Sequence, residues 1–398
     1  MRSSLCSPDG SIRLACLRML LQNFDSFEYS LFMESVKELF AILIEVEECP
    51  ADFNNYRQRA QLLRRLKFTS FEKIFSDTTN NIKELGNGTN IAMLVLDWLF
   101  AQFYERFTLY WPLLIEPIES YARGIGFDGF WNCFENAMNF CWEMIFEIKK
   151  EKEGDSTCDN ESNQQLPPDF KAFRLQLLRL LIKLPINTIK PEKRTNYLSP
   201  KFLRLYREEF VQVDEFVNTS KIEEEKEESK TDTNNDDQEK EYLRPLNFNS
   251  KTEAIKPLKA MLFLFGKFNN PKQIYKEEEI KEMYYELLLV NESEIQRLAL
   301  GCLYCYKASL ERLLNEKSFR EQLVLFSVDS QQTEALSKHR KDFIPILLRI
   351  LYGSLHTHVP QRGKARRIAI FRFLANCLSD ELQLFLQLMF GPICSFLV

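Results

Sequence analysis

The chain has 398 residues, 45% of them hydrophobic, and a formal net charge of −5. This length accommodates two or three compact domains or one long array of repeats. The low content of glycine and proline, 12 and 15 residues, disfavours an all-β fold, which needs frequent turns. The ten cysteines lie mostly within apolar helical patterns, which indicates reduced thiols, and the N-terminal residues lack the apolar segment of a secretory signal.

Helical periodicity dominates the first part of the chain. Apolar residues recur at helical spacing over residues 29–46, 56–68, 91–107, 113–122 and 130–148. The longest apolar run, residues 91–104, contains Asp97 and is too short to cross a bilayer. We therefore predict that this run is a buried core helix without membrane contact, and that residues 1–148 form N-terminal helical repeats.

One residue pattern recurs along the chain, with an acid near a helix N-terminus followed by apolar or small residues on one face. Its copies are Asp9, Ile12–Arg13, Cys16 and Leu20; Glu292, Ile295–Gln296, Ala299 and Leu303; and, with the acid one residue further upstream, Asp169, Phe173–Arg174, Leu177 and Leu181. The acid favours the helix dipole. The spacing resembles the second helix of a HEAT repeat, and such helix pairs must stack because none buries its apolar face alone. We predict an all-α fold, a HEAT-like α-solenoid of stacked antiparallel helix pairs.

The remaining segments are assigned from composition. Residues 149–168 are predicted to be a polar loop, residues 169–213 a helical repeat region and residues 251–398 a set of C-terminal HEAT-like repeats. Between the last two, residues 214–250 are predicted to be an acidic disordered linker, because residues 221–241 contain ten acids and four bases. Within the repeat region, residues 187–200 are predicted to be irregular, with a helix beginning at Pro200.

Residues 338–378 are predicted to form two amphipathic helices joined by a basic loop. The first helix would start at an Asp342 cap and stop at Gly353, and it has apolar residues at Phe343, Ile346, Leu347, Ile350 and Leu351. The second would bury Ile370, Phe371, Leu374 and Leu378 on one face. Between residues 338 and 372 there are nine Lys or Arg and a single acid, which contrasts with the acidic chain as a whole.

Motifs that would carry catalysis are weak in this sequence. Gly124, Gly126 and Gly129 match the spacing of a dinucleotide fingerprint, but a helix is predicted where that fingerprint needs a strand, so an interhelical turn is favoured. Cys302 and Cys305 lack the second pair of ligands that zinc needs, and His356 with His358 lacks a third ligand. The sequence has three histidines, so little is available for acid–base chemistry. We predict no catalytic residue, no cofactor, no metal and no small-molecule substrate.

The sequence from residue 252 onward carries a more specific set of motifs. They are Phe263 to Phe268, Asn270–Pro271 with Ile274–Tyr275, Glu294 to Leu300 with Cys302, Tyr306–Lys307, Arg349 to Gly353, and Phe371 to Ala375 followed by Glu381 to Phe385. In this order they resemble the largest HEAT-repeat component of the small-subunit processome, the family first called down-regulated in metastasis. The likeness extends upstream to about residue 169. Because family members are far longer and this sequence ends in an apolar run, we expect it to be a fragment.

The resemblance implies a non-enzymatic scaffold in the nucleolus that supports pre-rRNA processing within the U3 small nucleolar ribonucleoprotein. Its expected partners are other processome proteins, together with pre-rRNA or small nucleolar RNA bound through phosphate contacts. The residues predicted to touch phosphate are Arg349, Arg362, Lys364, Arg366, Arg367 and Arg372. Two alternatives stay open at this point. The basic residues could be an ordinary solvated face, and the chain could be a HEAT-type transport or adaptor protein that binds only proteins.

Overall fold

The computed structural model describes residues 2–25, 31–72, 90–154, 168–211, 248–290, 292–306, 344–352, 370–371, 373–375 and 377–395. Every regular element within these ranges is helical, which confirms the prediction of an all-α chain. The chain divides into two compact units, Met1–Pro191 and Glu192–Val398. Across the described ranges, no helix is both long enough and apolar enough to cross a membrane.

The first unit contains eight α-helices within its described residues, and most of them pack on a helix that precedes or follows them in sequence. They are α1 (Arg2–Leu5), α2 (Gly10–Asp25), α3 (Leu31–Glu48), α4 (Tyr56–Arg65), α5 (Ile91–Ala101), α6 (Trp111–Gly154), α7 (Phe170–Lys183) and α8 (Ile186–Ile189). Helix α2 packs on α3, α3 on α4, α5 on α6, and α6 on α7. Short 3₁₀ turns at Phe68–Phe71, Gln102–Tyr104 and Thr108–Tyr110 connect them.

Helix α5 is the central apolar helix of the first unit. The Asn90 side chain accepts a hydrogen bond from the Ala92 N–H at 2.8 Å, so the helix begins with a capped first turn. The residues that follow are buried on nearly every side of the helix, as predicted for residues 91–104. The Phe100 ring meets the Phe130 and Phe134 rings of α6 edge to face, with centroids 6.2 and 6.4 Å apart.

Helix α6 is sharply kinked at Gly126. The backbone of Gly126 has φ 73° and ψ −175°, a conformation that L-residues other than glycine rarely adopt. At Gly124 an added Cβ would overlap the Phe68 ring, so glycine is needed there for close packing. The predicted helices 113–122 and 130–148 are therefore present, and the glycines between them form an interhelical bend. The second helix continues to Gly154, beyond the predicted start of the polar loop at residue 149.

The described part of the second unit contains α9 (Thr195–Arg204), α10 (Phe248–Phe265), α11 (Glu277–Leu287), α12 (Ser293–Tyr304), a helix over residues 344–352 that we call α13, and α14 (Ser379–Ser395). A π-helical segment, Leu205–Val211, continues α9, and a 3₁₀ turn at Pro271–Gln273 precedes α11. Helix α10 begins at Phe248, inside the range predicted as linker. Residues 214–247 of that range lie outside the described residues.

Helices α10 and α12 lie side by side and run in the same direction. The Cys302 thiol of α12 donates to the Leu262 carbonyl of α10 at 3.2 Å, and Cys305 donates to the Gly266 carbonyl at 3.4 Å. Contacts that advance along both helices together indicate parallel neighbours. Helix α11, which connects them, packs on α12 and on α9.

Three local predictions are wrong. Residues 187–200 are largely helical, because α8 ends at Ile189 and α9 begins at Thr195 and runs through Pro200. In the recurring pattern, Ile12 is 47% exposed whereas Arg13 is fully buried. Near the C-terminus, Phe371 and Leu378 are 59% and 63% exposed, and the buried residues are Ile370, Phe373 and Leu374 at the i, i+3, i+4 spacing of one helical face.

Candidate nucleic-acid interface and buried polar clusters

Arg349 is the one member of the predicted phosphate-binding set that lies within the described residues. It is on α13, whose apolar residues Ile346, Leu347, Ile350 and Leu351 are buried as the sequence predicts. The Arg349 guanidinium lies 5.0 Å from the centre of the Tyr285 ring and donates through Nη1 to the Pro345 carbonyl at 3.1 Å. Burial lowers the pKa of Arg349, although an arginine remains charged at neutral pH. The side chain is half-buried.

The other five predicted phosphate contacts, Arg362, Lys364, Arg366, Arg367 and Arg372, lie outside the described residues. So do the proposed helix cap Asp342, the helix stop Gly353, and the histidines His356 and His358. The described structure therefore includes Arg349, and the other five phosphate contacts stay a prediction from sequence.

A cluster of buried polar residues in the first unit was not predicted from the sequence. Glu47 Oε1 accepts hydrogen bonds from Arg13 Nε at 2.6 Å, Trp98 Nε1 at 2.7 Å and Gln102 Nε2 at 2.6 Å. Arg13 also donates to Glu105 Oε1 at 2.7 Å, and its Nη1 donates to two backbone carbonyls near the end of α1. The only sequence signal is that Glu47 falls four residues after Leu43, on the apolar stripe of α3.

The cluster extends through Gln102 to Arg59. Arg59 Nη2 donates to Gln102 Oε1 at 2.7 Å, Nη1 donates to the Cys49 carbonyl at 2.7 Å, and the guanidinium lies 4.4 Å from the centre of the Tyr110 ring. Arg13 is paired with both acids of the cluster, and Arg59 is held by Gln102 and the Cys49 carbonyl. The arrangement joins α2, α3, α4 and the end of α5, and a role in stability follows from it.

A second buried carboxylate, Asp97 on α5, pairs with Arg2 of α1. Arg2 donates through Nε and Nη2 to the two carboxylate oxygens, the second contact being 3.3 Å long. Arg2 Nη2 also lies 3.4 Å from the Cys133 sulfur. Burial raises the pKa of Asp97 above its ordinary value, although Arg2 acts in the opposite direction. Burial also raises the pKa of Cys6 to about 12, so this thiol is protonated at neutral pH.

The remaining weak motifs have structural explanations. Gly124 and Gly126 follow a helix where a dinucleotide fingerprint requires a strand. The Cys302 thiol is buried and donates to a backbone carbonyl, and burial raises its pKa. Among the described residues, no group of three or more His, Cys, Asp or Glu side chains is arranged to hold a metal ion.

Comparison with known proteins confirms the resemblance predicted from the C-terminal motifs. Residues 252–398 match the family model described as U3 small nucleolar RNA-associated protein 20, N-terminal. The chain is 28% identical over 158 residues to U3 small nucleolar RNA-associated protein 20 of Schizosaccharomyces pombe, and 27% identical over 139 residues to the protein of the same name from Saccharomyces cerevisiae. These matches cover 36% and 32% of the chain but only 6% of each yeast protein.

Proposed function

We propose that this chain is a non-enzymatic helical scaffold of the nucleolus that holds processome proteins and pre-ribosomal or small nucleolar RNA during small-subunit maturation. The observation that carries the proposal is the match of residues 252–398 to a family named for its association with U3 small nucleolar RNA. Two relatives with the same name support it. The matched part of the chain covers about 6% of the length of these relatives, so it would supply one part of a larger assembly surface.

The packing within each unit supports a HEAT-like arrangement. In the first unit most described helices pack on a sequence neighbour, and in the second unit α10 and α12 are parallel neighbours with α11 between them in sequence. Alternate helices that run parallel within one layer are typical of stacked helix pairs. Such stacks offer long surfaces for many weak contacts, which suits a protein that assembles a particle.

The mechanism we propose for RNA contact is electrostatic. Arg349, Arg362, Lys364, Arg366, Arg367 and Arg372 would contact phosphates and release condensed counterions, so that affinity falls as salt rises. Arg349 is suited to the edge of such a surface, because its guanidinium is held on Tyr285 and keeps a fixed orientation. Contacts of this kind position an RNA without reading its bases.

Reversing the charges of Arg362, Lys364, Arg366 and Arg367 to Glu tests this mechanism. We expect RNA affinity to fall and the slope of log affinity against log salt to flatten by up to about 3, since each lost contact to a single strand removes roughly 0.7. The measurement is fluorescence anisotropy with labelled RNA across a salt series. Reversal of four exposed cations of the first unit, Arg57, Arg64, Lys171 and Lys183, is the matched control. Equal slopes for the two variants would contradict the mechanism.

A further inference from the structure

A stripe of lysines and one aromatic ring lies on the exposed side of α10. Lys256, Lys259 and Phe263 follow one another at i, i+3 and i+7, a spacing that places them on one helical face, and Lys267 follows just beyond the helix end. Lys256 is exposed and Phe263 is 42% exposed, whereas Leu258 and Leu262 on the other side are fully buried. At 1.5 Å per residue the stripe is roughly 16 Å long.

The Phe263 ring is associated with a cation. Lys267 Nζ lies 4.6 Å from the centre of the ring. A cation over an aromatic face is stabilised by the ring. A large ring that is partly exposed and flanked by ammonium groups has the two components that proteins use to bind single strands, which are a stacking surface and phosphate ligands.

The neighbouring helix leaves space beside this ring. Because Cys302 contacts Leu262, Gly301 of α12 lies at the level of Phe263, and the parallel direction of the two helices places Gly301 on the same exposed side. A Cβ added at Gly301 would meet no atom within 4 Å. The exposed face of α12 is therefore shallow at the point where a flat group stacked on Phe263 would extend.

The charges of this region are arranged with the acids at one end. Lys259 pairs with Glu292 at 3.0 Å and with Glu294 at 2.5 Å, near the N-terminus of α12. These pairs hold the two helices together and fix the Lys259 side chain. Lys256 lies on one side of Lys259 along α10 and is exposed, and Phe263 and Lys267 lie on the other side.

We propose that this α10–α12 surface, formed by Lys256, Lys259, Phe263, Lys267 and Gly301, binds single-stranded RNA. One base stacks on the Phe263 ring above Gly301, and the ammonium groups of Lys256 and Lys267 contact the phosphates on either side. The inference rests on the proposed function in one respect, that RNA is the partner. An acidic protein segment would use the lysines but would have no need of the exposed ring.

The test is the affinity of the whole chain for a short fluorescein-labelled oligouridine, measured by anisotropy between about 50 and 200 mM salt. Phe263→Ala and Phe263→Leu should each weaken binding by roughly tenfold, since base stacking on a ring is worth about 1–3 kcal/mol. Phe263→Tyr should bind like the wild type, because it keeps the ring. Phe53→Ala, a change at a 79% exposed phenylalanine of the first unit, is the matched control and should have no effect.

Two further variants test the charges of Lys256 and Lys267, and the space at Gly301, separately from stacking on Phe263. Lys256→Glu with Lys267→Glu should flatten the salt slope by about 1.4, and Lys171→Glu with Lys183→Glu, two exposed lysines on α7, should leave it unchanged. Gly301→Leu adds a helix-favouring side chain over the site, so it should weaken binding while raising the melting temperature. This last variant excludes the explanation that affinity is lost because the chain unfolds.

The outcomes distinguish this inference from the proposed function. If the wild type binds oligouridine and the Phe263, lysine-pair and Gly301 variants bind it as tightly, the assignment of RNA binding to the α10–α12 surface is wrong. The proposed function is unaffected by that result. If the wild type binds no RNA, the proposed RNA contact itself is contradicted. A labelled polyglutamate peptide serves as the other probe. Loss of its binding in the lysine-pair variant, without loss of oligouridine binding, would assign the surface to an acidic protein and overturn the inference.

Discussion

Glu47 shows how a charged residue can organise a helical core. It accepts hydrogen bonds from three different side chains, and its own side chain is only 3% exposed. Arg13, its main partner, is fully buried between Glu47 and Glu105. A buried ion pair adds modest net stability compared with apolar residues, but removal of one partner leaves an uncompensated charge, which is costly.

Glu47→Gln should therefore destabilise the first unit by about 3 kcal/mol, since Arg13 would lose one of its two carboxylates without exposure to water. Chemical unfolding followed by circular dichroism measures this difference. Glu48→Gln is the matched control, because Glu48 pairs with Arg18 at the exposed surface and should change stability by less than about 0.5 kcal/mol. Equal losses for the two variants would show that the buried cluster does not stabilise the fold.

The buried Asp97 makes the stability of the folded chain depend on pH, and the direction of this dependence follows from its pKa. Burial raises its pKa, so the folded chain holds this proton more tightly than the unfolded chain does. The stabilisation from that proton is present at low pH and is lost as the pH rises through the folded pKa. Asp97→Asn has no such proton to lose. The stability of the wild type relative to this variant should therefore fall as the pH rises above about 4, the ordinary pKa of an aspartate.

Urea unfolding of the wild type and of Asp97→Asn at several pH values measures that difference. A relative stability of the wild type that rises with pH would mean that attraction to Arg2 outweighs burial, and it would contradict the assignment.

Most helices were predictable from the sequence, because their apolar spacing is regular and their buried faces are local properties. The stripe of α13 and the apolar run of α5 are examples. Pro200 misled the prediction, since a proline usually starts or ends a helix, whereas here it lies inside α9. Spacing alone could not show which of Phe371 and Phe373 is buried. Both are apolar, and only their tertiary neighbours decide which one lies in the core. The partners of Arg13 and Arg59 are distant in sequence, so no local pattern indicates them.

The contribution of Gly126 to the kink of α6 can be measured as a change in the stability of the chain. Gly126→Ala should destabilise the chain by about 1–3 kcal/mol, because its backbone conformation is nearly restricted to glycine. Gly301→Ala lies in a regular helix with open space around it, and it should instead stabilise the chain by roughly 0.5–1 kcal/mol. Thermal unfolding of both variants tests whether the first change destabilises the chain and the second stabilises it. A neutral Gly126→Ala would show that the bend does not depend on this residue.

At the scale of the whole molecule, charge is distributed unevenly along an acidic chain. The ten acids of residues 221–241 precede a C-terminal part in which the basic segment around residues 338–372 and the lysines of α10 are concentrated. Both basic regions fall within or beside the match to the U3 small nucleolar RNA-associated family. The basic composition of residues 338–372 allowed an RNA contact to be predicted there from the sequence. The exposed Phe263 ring and the space at Gly301 could be identified only from the structure.

The central claim, that this chain acts by holding RNA and proteins in a particle, is tested most directly by sedimentation of the tagged chain from nuclear extract with and without nuclease. We expect it to sediment with large particles that contain U3-type small nucleolar RNA, and to move to the light fractions after nuclease treatment. A chain that stays in the large particles after nuclease would be an adaptor bound by protein alone, and a chain found only in light fractions of untreated extract would contradict the scaffold altogether.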